Sequence, residues 1–108
     1  MANTFKLKTK ANVGVTTVGI YTAPAATTTV VIGITMSNTS GSGVNVGVGL
    51  TSASAEDIKL LKNAPIPQGS SLEFMAGNKV VLETTDTLTV ASDTNNSVDT
   101  ALTIMEIT

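Results

Sequence analysis

Thr29-Val30-Val31-Ile32-Gly33-Ile34-Thr35-Met36-Ser37 runs through a polar hexad, Asn38-Thr39-Ser40-Gly41-Ser42-Gly43, into Val44-Asn45-Val46-Gly47-Val48-Gly49-Leu50-Thr51. The first run is β-branched and apolar, which suits a pleated, half-buried surface. A period of two puts Val30, Ile32, Ile34 and Met36 on one face and Val31, Gly33 and Thr35 on the other. Apolar residues on both faces predict a central strand. The hexad reads as a turn. The second run alternates more cleanly, with Val44, Val46, Val48 and Leu50 inward and Asn45, Gly47, Gly49 and Thr51 outward. Two outward glycines in one strand imply that something lies close against that face, or that the strand bends there.

The same rhythm extends in both directions. Towards the N-terminus, Val15–Thr22 is a strand stopped by Ala23-Pro24, and Thr4–Lys10 alternates Phe5 and Leu7 with Lys6, Lys8 and Lys10. Towards the C-terminus come a polar loop, Ser52–Asp57, in which Ala53–Asp57 has room for one helical turn at most, and a short strand, Ile58–Leu61. Pro65-Ile66-Pro67-Gln68-Gly69 reads as a rigid turn, because both prolines fix φ and neither can donate to a ladder. Leu72–Met75 follows, closed by Ala76-Gly77-Asn78, then Lys79–Glu83, Thr87–Ser92, a polar turn at Asp93–Ser97, and Val98–Ile107. No stretch carries a helical apolar stripe of useful length. Strands at this spacing, separated by turn residues, predict a sandwich or barrel. Two antiparallel sheets face to face are the economical arrangement; jelly-roll and immunoglobulin-like topologies both fit. The 108 residues make one domain, 1–108, with Met1–Val13 a candidate N-terminal arm.

What the chain lacks narrows its chemistry. It has no histidine, cysteine or tryptophan, one tyrosine and two phenylalanines. Nucleophilic catalysis needs a base beside the nucleophile, usually histidine, so no enzyme and no cofactor are expected. The carboxylates Glu73, Glu83, Asp86 and Asp99 read as solvated edge and turn acids, since a sugar site would want more aromatic platforms than Phe5, Tyr21 and Phe74 offer. Asp93-Thr94-Asn95-Asn96-Ser97-Val98-Asp99 has oxygen ligands at the short spacing of a calcium loop but lacks its glycine and distal glutamate; asparagine and aspartate are also ordinary turn residues. No metal site is expected. The glycines open no helix, which a phosphate cradle would require. A net charge of −2 argues against nucleic acid, and no apolar run reaches the ~18 residues of a membrane span. Charged residues are only 13% of the chain, about half the usual share. A surface so poor in charge suits a protein packed among copies of itself or on a larger assembly.

The N-terminal lysines admit two readings. On an edge strand they would discourage edge-to-edge aggregation; on an arm they would reach an acidic neighbouring subunit. Phe5, Lys6, Lys8 and Lys10 are therefore the candidate partner-binding residues, and removing residues 1–10 is expected to leave a folded protein that no longer attaches to its partner.

Phe5-Lys6-Leu7-Lys8, Ile20-Tyr21-Thr22-Ala23-Pro24, Thr29 to Thr39, Pro65-Ile66-Pro67-Gln68-Gly69-Ser70-Ser71-Leu72-Glu73, Lys79 to Glu83, Asp86-Thr87-Leu88 and Leu102 to Ile107 together resemble a group of small virion proteins of tailed bacteriophages, often those of cyanobacteria. The resemblance spans nearly the whole chain and is one of strands and turns. It implies an all-β, antiparallel two-sheet β-sandwich, jelly-roll-like, with an extended N-terminal arm. It further implies a non-enzymatic virion protein: a capsid decoration (cement) protein bridging capsid subunits, or else a low-copy tail, neck or fibre-anchoring component. A carbohydrate-binding module is a further alternative. The partners implied are the major capsid protein or other virion subunits, and copies of the chain itself, with a trimer favoured. The expected core is Val30, Ile32, Ile34, Val46, Val48, Leu50, Leu60, Leu72, Val80, Leu82, Leu88, Val90, Leu102 and Ile104.

Overall fold

The computed structural model of the protein describes residues 3–52, 56–74 and 80–108. Among them are nine strands and no helix: β1 (Asn3–Val13), β2 (Val18–Thr22), β3 (Thr28–Asn38), β4 (Val44–Thr51), β5 (Asp57–Ile66), β6 (Ser71–Phe74), β7 (Val80–Leu82), β8 (Thr87–Ser92) and β9 (Val98–Ile107). The expected turn at Ala76-Gly77-Asn78 and the core of the Ser52–Asp57 loop lie outside the described residues.

All pairings are antiparallel. One sheet, here the front sheet, has the order β1-β9-β3-β6, with β7 also on β3; the back sheet has the order β2-β8-β4-β5. β6 pairs with Ile34–Ser37 of β3 and β7 with Thr29–Val31, so the two occupy successive stretches of one lane. Counting that lane once, the pairs β1·β9, β2·β8, β3·β6/β7 and β4·β5 nest inside one another. They are the rungs of one long hairpin ribbon. Rolling the ribbon adds the contacts β3·β9 and β4·β8 that complete the two sheets. Of the two topologies compatible with the sequence, this is the jelly roll.

The core fills from alternate positions on the inner faces. Val46, Val48, Leu82, Leu88, Val90, Leu102 and Ile104 are each at most 2% exposed, and Leu50, Leu60, Leu72 and Val80 pack around them half-buried. β3 departs from simple alternation. Its register against β9 shifts between Val31 and Gly33, and such a bulge moves every residue on one side of it to the opposite face. Ile34 and Met36 are buried as expected, but before the bulge it is Thr29 and Val31 that face the core. Val30 and Ile32 are half-buried, and Val30 lies on the outer face with its cross-strand partners Met105 and Val81.

β5 is longer than its apolar pattern suggests, because two register shifts against β4 interrupt the alternation. It runs through Pro65, which pairs with Asn45. This is allowed because β5 is an edge strand, where a missing N–H costs no ladder bond. The rigid turn therefore begins at Pro67, not Pro65. The Pro67 carbonyl accepts the Ser70 N–H at 3.1 Å, with Gly69 at φ 72°, the left-handed value this turn position needs.

The same bulges explain the outward glycines of β4. A β-carbon built at Gly47 would stand 3.2 Å from the Leu61 carbonyl oxygen. One at Gly49 would stand 2.8 Å from Thr89 Oγ1 and 3.2 Å from the Ile58 carbonyl oxygen. The bulged β5 backbone thus lies over β4, the first of the two alternatives posed by the sequence. Gly49→Val is expected to lower stability by about 2 kcal/mol, the usual cost of forcing extra carbon into a filled site. A urea midpoint equal to that of the native chain would contradict this packing.

Two side chains, Asn38 and Ser40, bond across the β3–β4 turn. Asn38, buried, donates through Nδ2 to the carbonyls of Ser42 (2.8 Å) and Ile66 (2.9 Å), and its Oδ1 accepts from Ser40 N at 2.9 Å and Ser40 Oγ at 2.8 Å. Three of its four bonds stay within the hexad, and the fourth ties it to the end of β5.

Candidate interaction surface

β1 is the edge strand of the front sheet. Residues 3–10 pair one-to-one with β9, and pairing resumes at Val13 opposite Val98 after a bulge. Asn12 takes φ 57° at that bulge, and its N–H is capped by Asp99 Oδ1 at 3.0 Å. The segment read as an edge strand or an arm is thus extended and lies within the sheet.

The register against β9 decides which way the side chains of β1 face. Along β9, Val98, Thr100, Leu102, Ile104 and Glu106 point inward and are buried. Their cross-strand partners share that face. Lys6 lies opposite Ile104, Lys8 opposite Leu102 and Lys10 opposite Thr100, so the three lysines flank the core at the open side of the sandwich. Their alkyl stems can cover apolar surface while the ammonium groups reach water. Phe5 and Leu7 consequently face outward, 68% and 64% exposed. Alternation alone would place the apolar residues inside and the lysines outside; the strand is inverted.

Glu106 explains the inversion. It occupies an inner-face position, and a buried carboxylate requires partners. Lys6 Nζ approaches Glu106 Oε1 at 2.9 Å. From the back sheet, Tyr21 O–H donates to Glu106 Oε2 at 2.5 Å. Tyr21 Oη also lies 2.8 Å from Thr29 Oγ1; since the phenol has a single proton, the threonine hydroxyl is the donor there. Tyr21, Thr29 and Glu106 are each at most 7% exposed. The Tyr21 hydrogen bond, followed by Lys6, holds the Glu106 carboxyl below its ordinary range against the opposing effect of burial. Burial, then the bond to Glu106, pushes Tyr21 up from 10.0 to about 12. This network ties β2 of the back sheet to β1, β3 and β9 of the front one.

The outward side chains form a surface of their own. Phe5 pairs with Met105, Met105 with Val30, and Val30 with Val81, so one apolar row crosses four strands of the front sheet. Leu7 and Ile107 lie one step along the strands on either side of that row, on the same face. Val81 is 53% exposed. Towards the far end the face turns polar, through Thr9, Ala101, Thr35 and Glu73, then Asp99, Ser37 and Ser71. Leaving Phe5 and Leu7 in water forgoes roughly 1.5–3 kcal/mol apiece relative to burying them. An apolar area of this kind on a sheet face is the mark of a contact surface.

The other candidates do not assemble. Glu83 N is bonded to Asp86 Oδ2 within one turn (3.0 Å), Asp99 caps Asn12, and Glu73 lies on the front face. In the suggested calcium loop, Asp93 Oδ1 accepts Asn45 N at 3.1 Å and Asn95 Oδ1 accepts Val15 N at 3.5 Å, so these oxygens hold neighbouring backbone. Among the described residues no group of three or more acidic, histidine or cysteine side chains is placed to hold a metal. Burial of Tyr21 removes it as a platform for a sugar ring. A groove on the back sheet has Gly47, Gly49, Thr89 and Ala91 as its floor, with Lys59, Lys62, Asn63 and Asp93 around it. It follows from the small residues that β5 overlies.

Sequence reasoning named Phe5 and the lysines but not Met105, Val30, Val81 or Ile107. The available clue was Glu106, a carboxylate at a core-facing position of the closing strand, which calls for a cation on the adjacent strand.

No family model matches the chain, and no curated protein matches it. Solved structures do. The fold is similar to that of a subunit of Bacillus endospore appendages, described as a novel family of disulfide-linked pili, at a TM-score of 0.57 and 14% identity, covering 97% of this chain and 84% of that one. A pentameric capsid protein isolated from metagenomic phage sequences gives a TM-score of 0.49 at 17% identity, with 94% of this chain spanning 59% of that one. The infectious bursal disease virus Gt strain gives 0.47 at 9% identity, covering 99% of this chain and 31% of the viral one. At such identities what is shared with the appendage subunit is the fold, a two-sheet β-sandwich, and that fold is what the comparison establishes.

Proposed function

We propose that the chain is a non-enzymatic structural subunit of a bacteriophage virion, and within the virion a capsid decoration protein. The observation that carries the proposal is the inverted β1 strand. A small jelly roll turns Phe5 and Leu7 outward, beside Met105, Val30, Val81 and Ile107, and so leaves an uncharged apolar row on a sheet face. Such a face suits burial in an assembly. The resemblance to small phage virion proteins supplies the kind of assembly, with the major capsid protein as partner and the virion as location. The action is mechanical: copies bridge neighbouring shell subunits, and many weak contacts held together give avidity that a single contact lacks.

The similarity to the pilus subunit favours a second reading, a fibre-forming or fibre-anchoring component. The appendage subunits are described as disulfide-linked. This chain has no cysteine, so a fibre of it would be held by surface contacts alone.

Quantitative mass spectrometry of purified parent virions separates these readings. A copy number near that of the major capsid protein, or a simple large fraction of it, is expected for decoration. A few copies per particle would place the chain in the tail, neck or fibre. Its absence from the particle would overturn the virion reading.

A further inference from the structure

We propose that the outer face of the front sheet is a two-fold interface at which a second copy of this chain packs sheet against sheet, with the axis parallel to the strands. The proposal concerns the purified chain and stands apart from whether it decorates a capsid.

The face fits a copy of itself in size, charge and shape. Four lanes of strands about 4.8 Å apart, and about 3.3 Å per residue along the longest, give roughly 700 Å² per copy. Two such faces bury about 1,400 Å², inside the ~1,200–2,000 Å² of stable interfaces. The apolar row itself bears no charge, so it offers nothing for a partner of fixed opposite charge to match. A second copy is the partner certain to present an apolar row of equal width at the same height.

The order of side chains along the row selects the axis. Phe5 and Met105 are large and stand at one side; Val30 and Val81 are smaller and stand at the other. A two-fold axis along the strands keeps height and reverses lateral order. It sets Phe5 of one copy over Val81 of the other and Met105 over Val30, large against small, as interdigitating layers require. The same rotation places Glu73 over Thr9 and Asp99 over Ser37, so no carboxylate meets another. An axis across the strands and centred on the face would instead lay the apolar end of one copy on the polar end of the other. Aligned packing of two sheets at about 10 Å is an ordinary geometry. The pair would enclose Phe5 and Leu7, which the monomer leaves exposed to water. It replaces the trimer suggested by the family resemblance with an order of two.

The test is sedimentation equilibrium of the purified full chain at micromolar concentrations, beside three variants. The native chain is expected to be a dimer. Phe5→Asp is expected to weaken it at least about 30-fold, as loss of an aromatic anchor does, with circular dichroism unchanged because Phe5 is exposed. Val81→Lys is expected to weaken it as well. The double variant Phe5→Asp/Val81→Lys is expected to recover dimerisation, since under this axis each new aspartate faces a new lysine. A native chain that is monomeric or trimeric overturns the proposal. So does a dimer indifferent to Phe5→Asp, or a double variant no better than the worse single one. A monomer that is nevertheless abundant in virions would sink the dimer and leave the decoration reading intact; a dimer absent from virions would do the reverse.

Discussion

Deletion of residues 1–10 is expected to abolish cooperative folding, not merely to free a binding arm. Eight consecutive one-to-one pairings between β1 and β9 involve Asn3–Lys10, so the deletion strips one side of β9 from Thr100 to Ile107. Leu102 and Ile104, both at 0% exposure, would lose the flanking Lys8 and Lys6 stems, and Glu106 would lose its cation. A domain of this size has about 5–15 kcal/mol of net stability to lose. Opened core area, unpaired ladder groups and an inner-face carboxylate stripped of its cation act together against that margin. Urea unfolding of the truncated chain, followed by circular dichroism, is expected to show no sigmoidal transition. A transition with the slope of the full chain would show that β1 is dispensable, and would restore the arm reading. For this reason attachment to a partner is better probed by single outward substitutions than by truncation.

That outcome turns on something the sequence displays only indirectly. Strand positions were legible because turn residues punctuate the chain at Pro24, Asn38–Gly43, Gly69 and Asp93–Ser97, and because Val44–Thr51 alternates without interruption. Val44–Thr51, Thr87–Ser92 and Val98–Ile107 have the bounds read from the sequence. Facing was legible only where register is regular. In β3 one bulge puts Val31 inside and Val30 outside, and in β5 two bulges erase the period altogether. A bulge is a property of the paired strands, so a single strand's pattern does not announce it. In β1 the pattern itself misleads: the hydrophobic preference of Phe5 and Leu7 for the core is outweighed by a buried acid nearly a hundred residues away in sequence. The apolar outer face therefore lay out of reach of local reading, although the outward glycines of β4, and the neighbour they imply, did not.

Replacing Glu106 with alanine is expected to cost about 3 kcal/mol. Two hydrogen bonds to a charged group are lost, and the buried Tyr21–Thr29 hydroxyl pair is left with two protons and one acceptor between them; each effect is of order 1–3 kcal/mol. Lys6 adds little, because its side chain is 43% exposed and returns to water. Glu106→Gln, which keeps an acceptor for Tyr21, is expected to cost less. The network also sets limits in pH. Glu106 is held low, so its contribution is complete above the ordinary carboxylate range and fades as pH falls through the lowered value. Tyr21 is raised from 10.0 to about 12: the folded chain holds that proton more tightly than the unfolded one. Its contribution is complete below pH 10 and is lost as pH rises from there towards 12. Ionising Tyr21 would set a phenolate against a carboxylate in a buried site. Urea midpoints of the native chain are thus expected to fall between pH 10 and 12, and those of Tyr21→Phe, measured in parallel, to fall less. Because Tyr21 is the only tyrosine, phenolate absorbance follows the same event, and ionisation and unfolding should advance together. Equal alkaline losses in the native chain and Tyr21→Phe would mean that the Tyr21–Glu106 bond does not hold the two sheets.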